Sequence, residues 1–188
     1  MRLFIAIDLP DSVRAALARE QARLRDGCAR SRDIRWTRPE GLHLTLKFLG
    51  QVEATRVTDV TEALNALGPY ETFEIEVGGF GFFPSARRPR VFWVGSQATP
   101  VLGELARRVE AAMEPLGFAR EDRPFQPHLT LARLEGQRPQ PELDAAVQKG
   151  EASFGRFTVT EFFLFESKLR PGGAEYSKLA RFPAAGPA

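Results

Sequence analysis

The tetrapeptide His-Leu-Thr-Leu occurs twice in this chain, at residues 43–46 and 128–131. The two copies hold both histidines of the 188 residues. The likeness extends to either side. Arg38-Pro39 and Arg123-Pro124 precede their histidines at the same offsets, and Leu49 and Leu134 follow at the same offset. A pattern R-P-x-x-x-H-L-T-L-x-x-L written once in each half asks for two copies of one structural unit. That limits the fold more than any other feature of the sequence.

Alternation of polar and apolar residues is the period-two signature of a half-buried strand. His43 and Thr45 then share one face while Leu44 and Leu46 enter a core, and His128 and Thr130 repeat the arrangement. Strict alternation puts Lys47 on the His43 face and Phe48 with the buried leucines. It puts Arg133 opposite His128, unless a bulge or strand end turns it back. Two similar core strands with incidental histidines would explain one copy. Both histidines at equivalent positions argue for a paired site.

The flanking chain supplies the rest of each unit. Leu3 to Leu9 reads as a buried strand ended by Pro10, and a helix follows with Asp11 or Ser12 as its cap and Val13, Leu17 and Leu24 on one face. Ile34 to Trp36 is a short strand. Val57, Val60, Leu64 and Leu67 recur at helical spacing before Gly68. Phe73 to Val77 alternates as a strand, and Gly78-Gly79 suggests a bulge. Pro84 to Pro89 is the candidate boundary between halves 1–86 and 87–188 of one bilobal domain. Beyond it come a strand from Val91 to Val94 and a helix started by Thr99-Pro100 and closed by Gly117. After the second motif strand come a short helix from Leu143 to Val147, a long strand from Phe157 to Phe165, an edge strand from Glu175 to Phe182 and a frayed tail. The expectation is an α+β fold: two duplicated lobes with mainly antiparallel sheets, related by a pseudo-two-fold axis, with the motif strands facing each other across a cleft.

Composition excludes several classes. Cys28 is the single cysteine, so an intrachain disulfide or a cysteine-rich zinc site is ruled out. The apolar run at the N-terminus is too short for a signal peptide or a membrane span, so a cytoplasmic protein is expected. A net charge of +2 does not diagnose a partner. The arginines at 87, 88, 90, 120 and 123 are candidates for steering a phosphate-bearing strand. Trp36, Phe48, Phe83 and Phe125 are candidates for stacking on a base.

Two imidazoles across a cleft form a general acid–base pair, because histidine titrates near pH ~6.5 and one ring can be neutral while the other is charged. Neighbouring threonine hydroxyls can bind the oxygens of a phosphate held between them. Two histidines without a H-E-x-x-H or carboxylate spacing make a poor metal site.

The doubled motif, HLTLKFLG and PHLTLAR, resembles the two-histidine (2H) phosphoesterase superfamily. MRLFIAIDLP and GFGFFPSARRPRVFWVG make nearly the whole chain similar to its RNA 2′,3′-cyclic phosphodiesterases, also known as 2′-5′ RNA ligases. The resemblance implies a bilobal α+β fold and hydrolysis of a 2′,3′-cyclic phosphate at an RNA end to a 2′-phosphomonoester, without metal or other cofactor. It further implies a reversible 2′-5′ ligase activity, His43 as proton donor, His128 as proton acceptor, and Thr45, Thr130 and Arg133 as phosphate ligands. A monomer acting on RNA ends away from membranes is expected. A non-catalytic RNA-end-binding module and the same chemistry on a small cyclic nucleotide are the alternatives.

Overall fold

The computed structural model describes residues 1–29, 32–97, 99–136, 138–150, 153–170 and 173–185. Among them the chain forms, in order, β1 (Arg2–Asp8), α1 (Asp11–Gly27), β2 (Ile34–Trp36), β3 (His43–Gln51), α2 (Val57–Asn65), β4 (Phe73–Phe83), β5 (Val91–Ser96), α3 (Pro100–Met113), β6 (His128–Leu134), α4 (Pro141–Val147), β7 (Ser153–Val159), β8 (Glu161–Arg170) and β9 (Gly173–Pro183). The strands make two sheets, ordered β3-β1-β8-β9 and β2-β6-β5-β4-β7. Every strand pair is antiparallel, so the α+β class expected from the sequence is the class observed.

Local chemistry explains most of the elements. In α1 the buried Val13, Leu17 and Leu24 fall on one stripe. Its cap position is Pro10 without a side-chain bond, not Asp11 or Ser12 as expected; the helix begins directly where proline ends β1. In α3 the Thr99 hydroxyl accepts from Leu102 N at 3.2 Å, and Pro100 occupies the first turn, where a missing N–H costs nothing. Gly79 adopts φ 71° at the irregularity between Val77 and Phe80, the bend anticipated from the glycine pair.

The strands sort across the 86/87 position rather than on either side of it. β4 joins β5, β6 and β7 in the second sheet, and β8 returns to pair with β1 in the first, with β9 beyond it at the edge. The segment around Pro84 to Pro89 is therefore a hairpin connection within one sheet. The single strand expected from Phe157 to Phe165 is two, β7 and β8, on different sheets; Thr160 is where the chain crosses over. The tail from Pro183 is tied down as far as Ala185, whose N–H donates to Tyr70 O at 2.9 Å; residues 186–188 lie outside the described residues.

Leu44, Leu46, Leu129 and Leu131 all enter one apolar core shared with the helices. The first sheet is also apolar on its other face, where Phe4, Ala6, Phe163 and Phe165 cluster with Tyr176 against them. A sheet covered on both faces reads as an unbroken apolar run, as Phe162 to Phe165 does.

Each motif strand carries the same irregularity. Ala6 pairs with Thr45 and Ile5 with Lys47, leaving Leu46 as an extra residue. Trp93 pairs with Thr130 and Phe92 with Ala132, leaving Leu131 as the extra residue. One inserted residue resets the alternation. Lys47 and Ala132 therefore turn inward, and Phe48 and Arg133 turn outward. Both expectations for Lys47 and Phe48 are reversed: Lys47 is buried and Phe48 is 63% exposed. The Lys47 ammonium donates to Glu110 Oε2 on α3 at 2.5 Å and to Ala119 O at 2.8 Å. Lys47→Met removes the charge and leaves Glu110 and the carbonyl short of a partner. It should lower unfolding free energy by about 2 kcal/mol, since one partner of a mostly buried pair is lost. Urea unfolding checks this; an unchanged midpoint would contradict it.

Candidate active site

The turn before β3 sets the first histidine. Arg14, at the start of α1, donates to Pro39 O at 2.7 Å and Leu42 O at 3.0 Å, and pairs with Asp8 at 2.5 Å. This fixes the 3₁₀ turn Pro39–Gly41 against the end of β1. Gly41 O then lies 2.7 Å from His43 Nδ1. Gly41 has little room for a side chain, as a Cβ there would come within 3.0 Å of the Tyr176 ring. His43 stacks on Phe4 at 4.5 Å between ring centroids and takes Tyr176 edge-on at 5.2 Å. A polar cavity of about 320 Å³ opens beside it, bounded also by Asp8, Tyr176 and Lys178.

The second histidine is held in the same way by different neighbours. His128 Nδ1 lies 2.8 Å from Gln126 O. Phe83 stands edge-on to it at 4.8 Å, and Trp93 lies 6.3 Å away. The indole of Trp93 rests over Gly81, where any Cβ would enter the ring.

A carbonyl only accepts, so each Nδ1 carries a hydrogen and donates it. Each Nε2 is left to act: a lone pair when the ring is neutral, an N–H donor when it is charged. Thr45 and Thr130 lie half-buried on the same faces as their histidines. β3 and β6 meet between the two sheets, close enough that charge on His128 weakens proton binding at His43. Arg133 is exposed at the end of β6, and its charge is felt by the Tyr176 phenol beside His43. His43 with Thr45 and His128 with Thr130 thus sit on two strands that meet, and Arg133 is exposed near the end of the second. Phe4, Phe165, Tyr176 and Arg14 were not expected; they approach His43 from strands and a helix distant in sequence.

Among the stacking candidates, Trp36 is edge-on to the core Phe92, Phe83 belongs to the His128 wall, and Phe125 and Phe48 are exposed. Arg120 and Arg123 are exposed and paired with Glu114 at 2.8 Å and Glu121 at 3.0 Å. A larger cavity, about 460 Å³, opens between α1 and α4 with mixed charges and neither histidine. Among the described residues no three His, Cys, Asp or Glu side chains are grouped to hold a metal ion, and no helix is long and apolar enough to cross a membrane.

Burial pushes the His43 imidazole down from 6.5 to about 4, against a smaller upward pull from the bond to Gly41 and the Asp8 charge. Burial also lowers His128, partly offset by the bond to Gln126. Because an unfolded chain carries an ordinary histidine, it binds protons more tightly than the folded one. The stability due to neutral His43 is full above pH ~6.5 and falls toward pH ~4, by at most about 3 kcal/mol. His43→Gln, which does not titrate, should lose that much less stability between pH 7.5 and 4. The comparison is made by urea unfolding of both proteins, and equal acid losses would contradict it.

A duplicated α+β fold that carries two Nδ1-anchored imidazoles on adjoining strands of its two sheets defines a two-histidine phosphoesterase. The model of the LigT like phosphoesterase family matches residues 7–93 and again 94–176, and the chain belongs to that family. An RNA 2′,3′-cyclic phosphodiesterase of Archaeoglobus fulgidus is 36% identical over 97% of this chain and 99% of its own length. One from Thermus thermophilus is 35% identical over 97% of this chain and 89% of its own. A crystal structure from Thermus thermophilus superposes with a TM-score of 0.79 at 34% identity, covering 97% of each chain. E. coli LigT complexed with 3′-AMP superposes with a TM-score of 0.79 at 27% identity, covering 98% of each.

Proposed function

We propose that this protein is an RNA 2′,3′-cyclic phosphodiesterase that opens a terminal cyclic phosphate to a 2′-phosphomonoester by acid–base catalysis. The observation that carries the reading is the pair of imidazoles, each with Nδ1 donated to the carbonyl two residues back and Nε2 left for proton transfer. Relatives at 28–36% identity that bear this activity in their names support the substrate class, and a related protein complexed with 3′-AMP supports a nucleotide-sized phosphate ligand.

In this scheme water attacks phosphorus opposite the 3′ oxygen. His128 Nε2 takes the water proton as the new P–O bond forms. The P–O3′ bond breaks, and His43 Nε2–H delivers its proton to the departing 3′ oxygen. Thr45 and Thr130 donate hydroxyl hydrogens to the phosphoryl oxygens, and Arg133 balances the charge that grows there. The apolar bed around His43 favours the neutral ring when the cleft is empty. An anionic phosphate draws the proton onto it, and an imidazolium in such surroundings gives its proton up readily. A 5′-hydroxyl in place of the water yields a 2′-5′ linkage by the same transfers. No step requires a metal or organic cofactor, and a cytoplasmic monomer is part of the same reading.

The test is to incubate the protein and excess chelator with RNA ending in a 2′,3′-cyclic phosphate, with free cyclic nucleotides in parallel, and to identify the product. A 2′-phosphate formed at an undiminished rate is expected on the RNA. A 3′-phosphate, activity abolished by chelation and restored by a divalent ion, or binding without turnover would overturn the reading.

A further inference from the structure

We infer that Gln21 is a positioning residue of the reaction: its side-chain amide sets the two histidine strands against one another. Gln21 lies on the buried face of α1 and is 2% exposed. Its Nε2 donates to Thr37 O at 2.9 Å and to Leu131 O at 3.0 Å. Carbonyl oxygens only accept, so both bonds require the nitrogen end of the amide at that place. The Oε1 at the other end is buried without a hydrogen-bond partner. An unpaired buried acceptor costs stability, so the amide is kept there by what its nitrogen holds.

The two carbonyls belong to different motifs. Thr37 follows β2 and leads through Arg38 into the turn whose Gly41 O holds His43. Leu131 is the extra residue of the β6 bulge, between Thr130 on the His128 face and the outward Arg133. Thr37 N also donates to Leu131 O at 2.8 Å, so the bulge carbonyl takes two bonds, both from the first half of the chain. Arg14 stands about two helical turns before Gln21 and therefore on the same face of α1. It holds Pro39 O and Leu42 O, farther along the same turn. α1 thus grips the lead-in to His43 at both ends, and through Gln21 it grips the strand of His128 as well. Two rings that serve one phosphate need a fixed relation between β3 and β6, and this amide ties the anchor of one to the bulge of the other.

The inference rests on the proposed function, and one experiment separates the two. Hydrolysis of cyclic-phosphate RNA is measured for the unaltered protein, Gln21→Met, His43→Ala and the double variant, with folding followed by urea unfolding. Methionine keeps the length of the side chain and removes both donors. Gln21→Met should lower kcat by about ten- to a hundredfold with KM little changed, the scale of a misplacement of about 1 Å. In His43→Ala no second ring is left to align, so the same substitution should cost less than about threefold. The loss of stability should be alike in both backgrounds. An unchanged kcat in folded Gln21→Met would leave the residue a structural role only and overturn the inference. So would a loss confined to KM, or an equal kcat penalty with and without His43. Gln21→Asn, which withdraws the amide by one methylene, is measured in parallel and decides by the same criteria if methionine prevents folding. If the unaltered protein opens no cyclic phosphate, the function itself falls and the inference with it; if it does so and Gln21 proves silent, only the inference falls.

Discussion

His43→Ala and His128→Ala are each expected to lower kcat/KM by about 10²–10⁴, the usual worth of one positioned proton transfer. Without His43 the 3′ oxygen must leave as an alkoxide or take its proton from solvent. Without His128 the attacking water keeps its proton until late. The double variant should be little slower than the slower single variant, because each ring is useful only while the other is in place. The expected pH dependence of kcat/KM is bell-shaped, with limbs that belong to the pair and not to either ring. Both limbs should lie at or below the ordinary histidine range, since burial lowers both imidazoles. Steady-state assays on cyclic-phosphate RNA measure these quantities. A loss of under tenfold for either alanine would remove that ring from the chemistry.

Arg133→Met should cost about 10²–10³, mostly in kcat, the scale of removing one donor from a site of developing charge. Methionine keeps the length of the stem and removes the guanidinium. Because Arg133 is exposed at a strand end, the fold should not suffer, and the unfolding midpoint should be unchanged. Lysine at 133 should recover only part of the rate, since a point charge replaces a planar fork. An effect confined to KM would mean that Arg133 binds the ground state and the transition state alike.

The parts of the molecule legible in the sequence were those governed by local pattern. The motif strands, the helices with apolar stripes, and the caps at Thr99 and Gly117 follow from period and turn chemistry. The bulges were half-visible. Leu131 and Ala132, adjacent and both apolar, break the alternation after His128, but Leu46 followed by Lys47 does not. A lysine reads as surface until Glu110 comes to meet it from another element. The sorting of β4, β8 and β9 between sheets depends on long-range pairing, and so do the rings of Phe4, Phe165 and Tyr176 around His43. The matched motifs suggested matched surroundings. In the fold His43 lies on an aromatic bed and His128 meets the edge of Phe83. Equal sequence neighbours thus acquire unequal surroundings.

The central claim is that one ring protonates the leaving oxygen while the other activates water. The most direct measurement compares His43→Ala and His128→Ala on cyclic substrates with oxygen or sulfur at the 3′ position. A thiolate leaves without protonation, so the group that supplies the proton becomes dispensable. His43→Ala should recover most of its lost rate on the sulfur substrate, and His128→Ala should remain impaired. Rescue of His128→Ala would reverse the two roles, and rescue of neither would contradict proton donation to the leaving group.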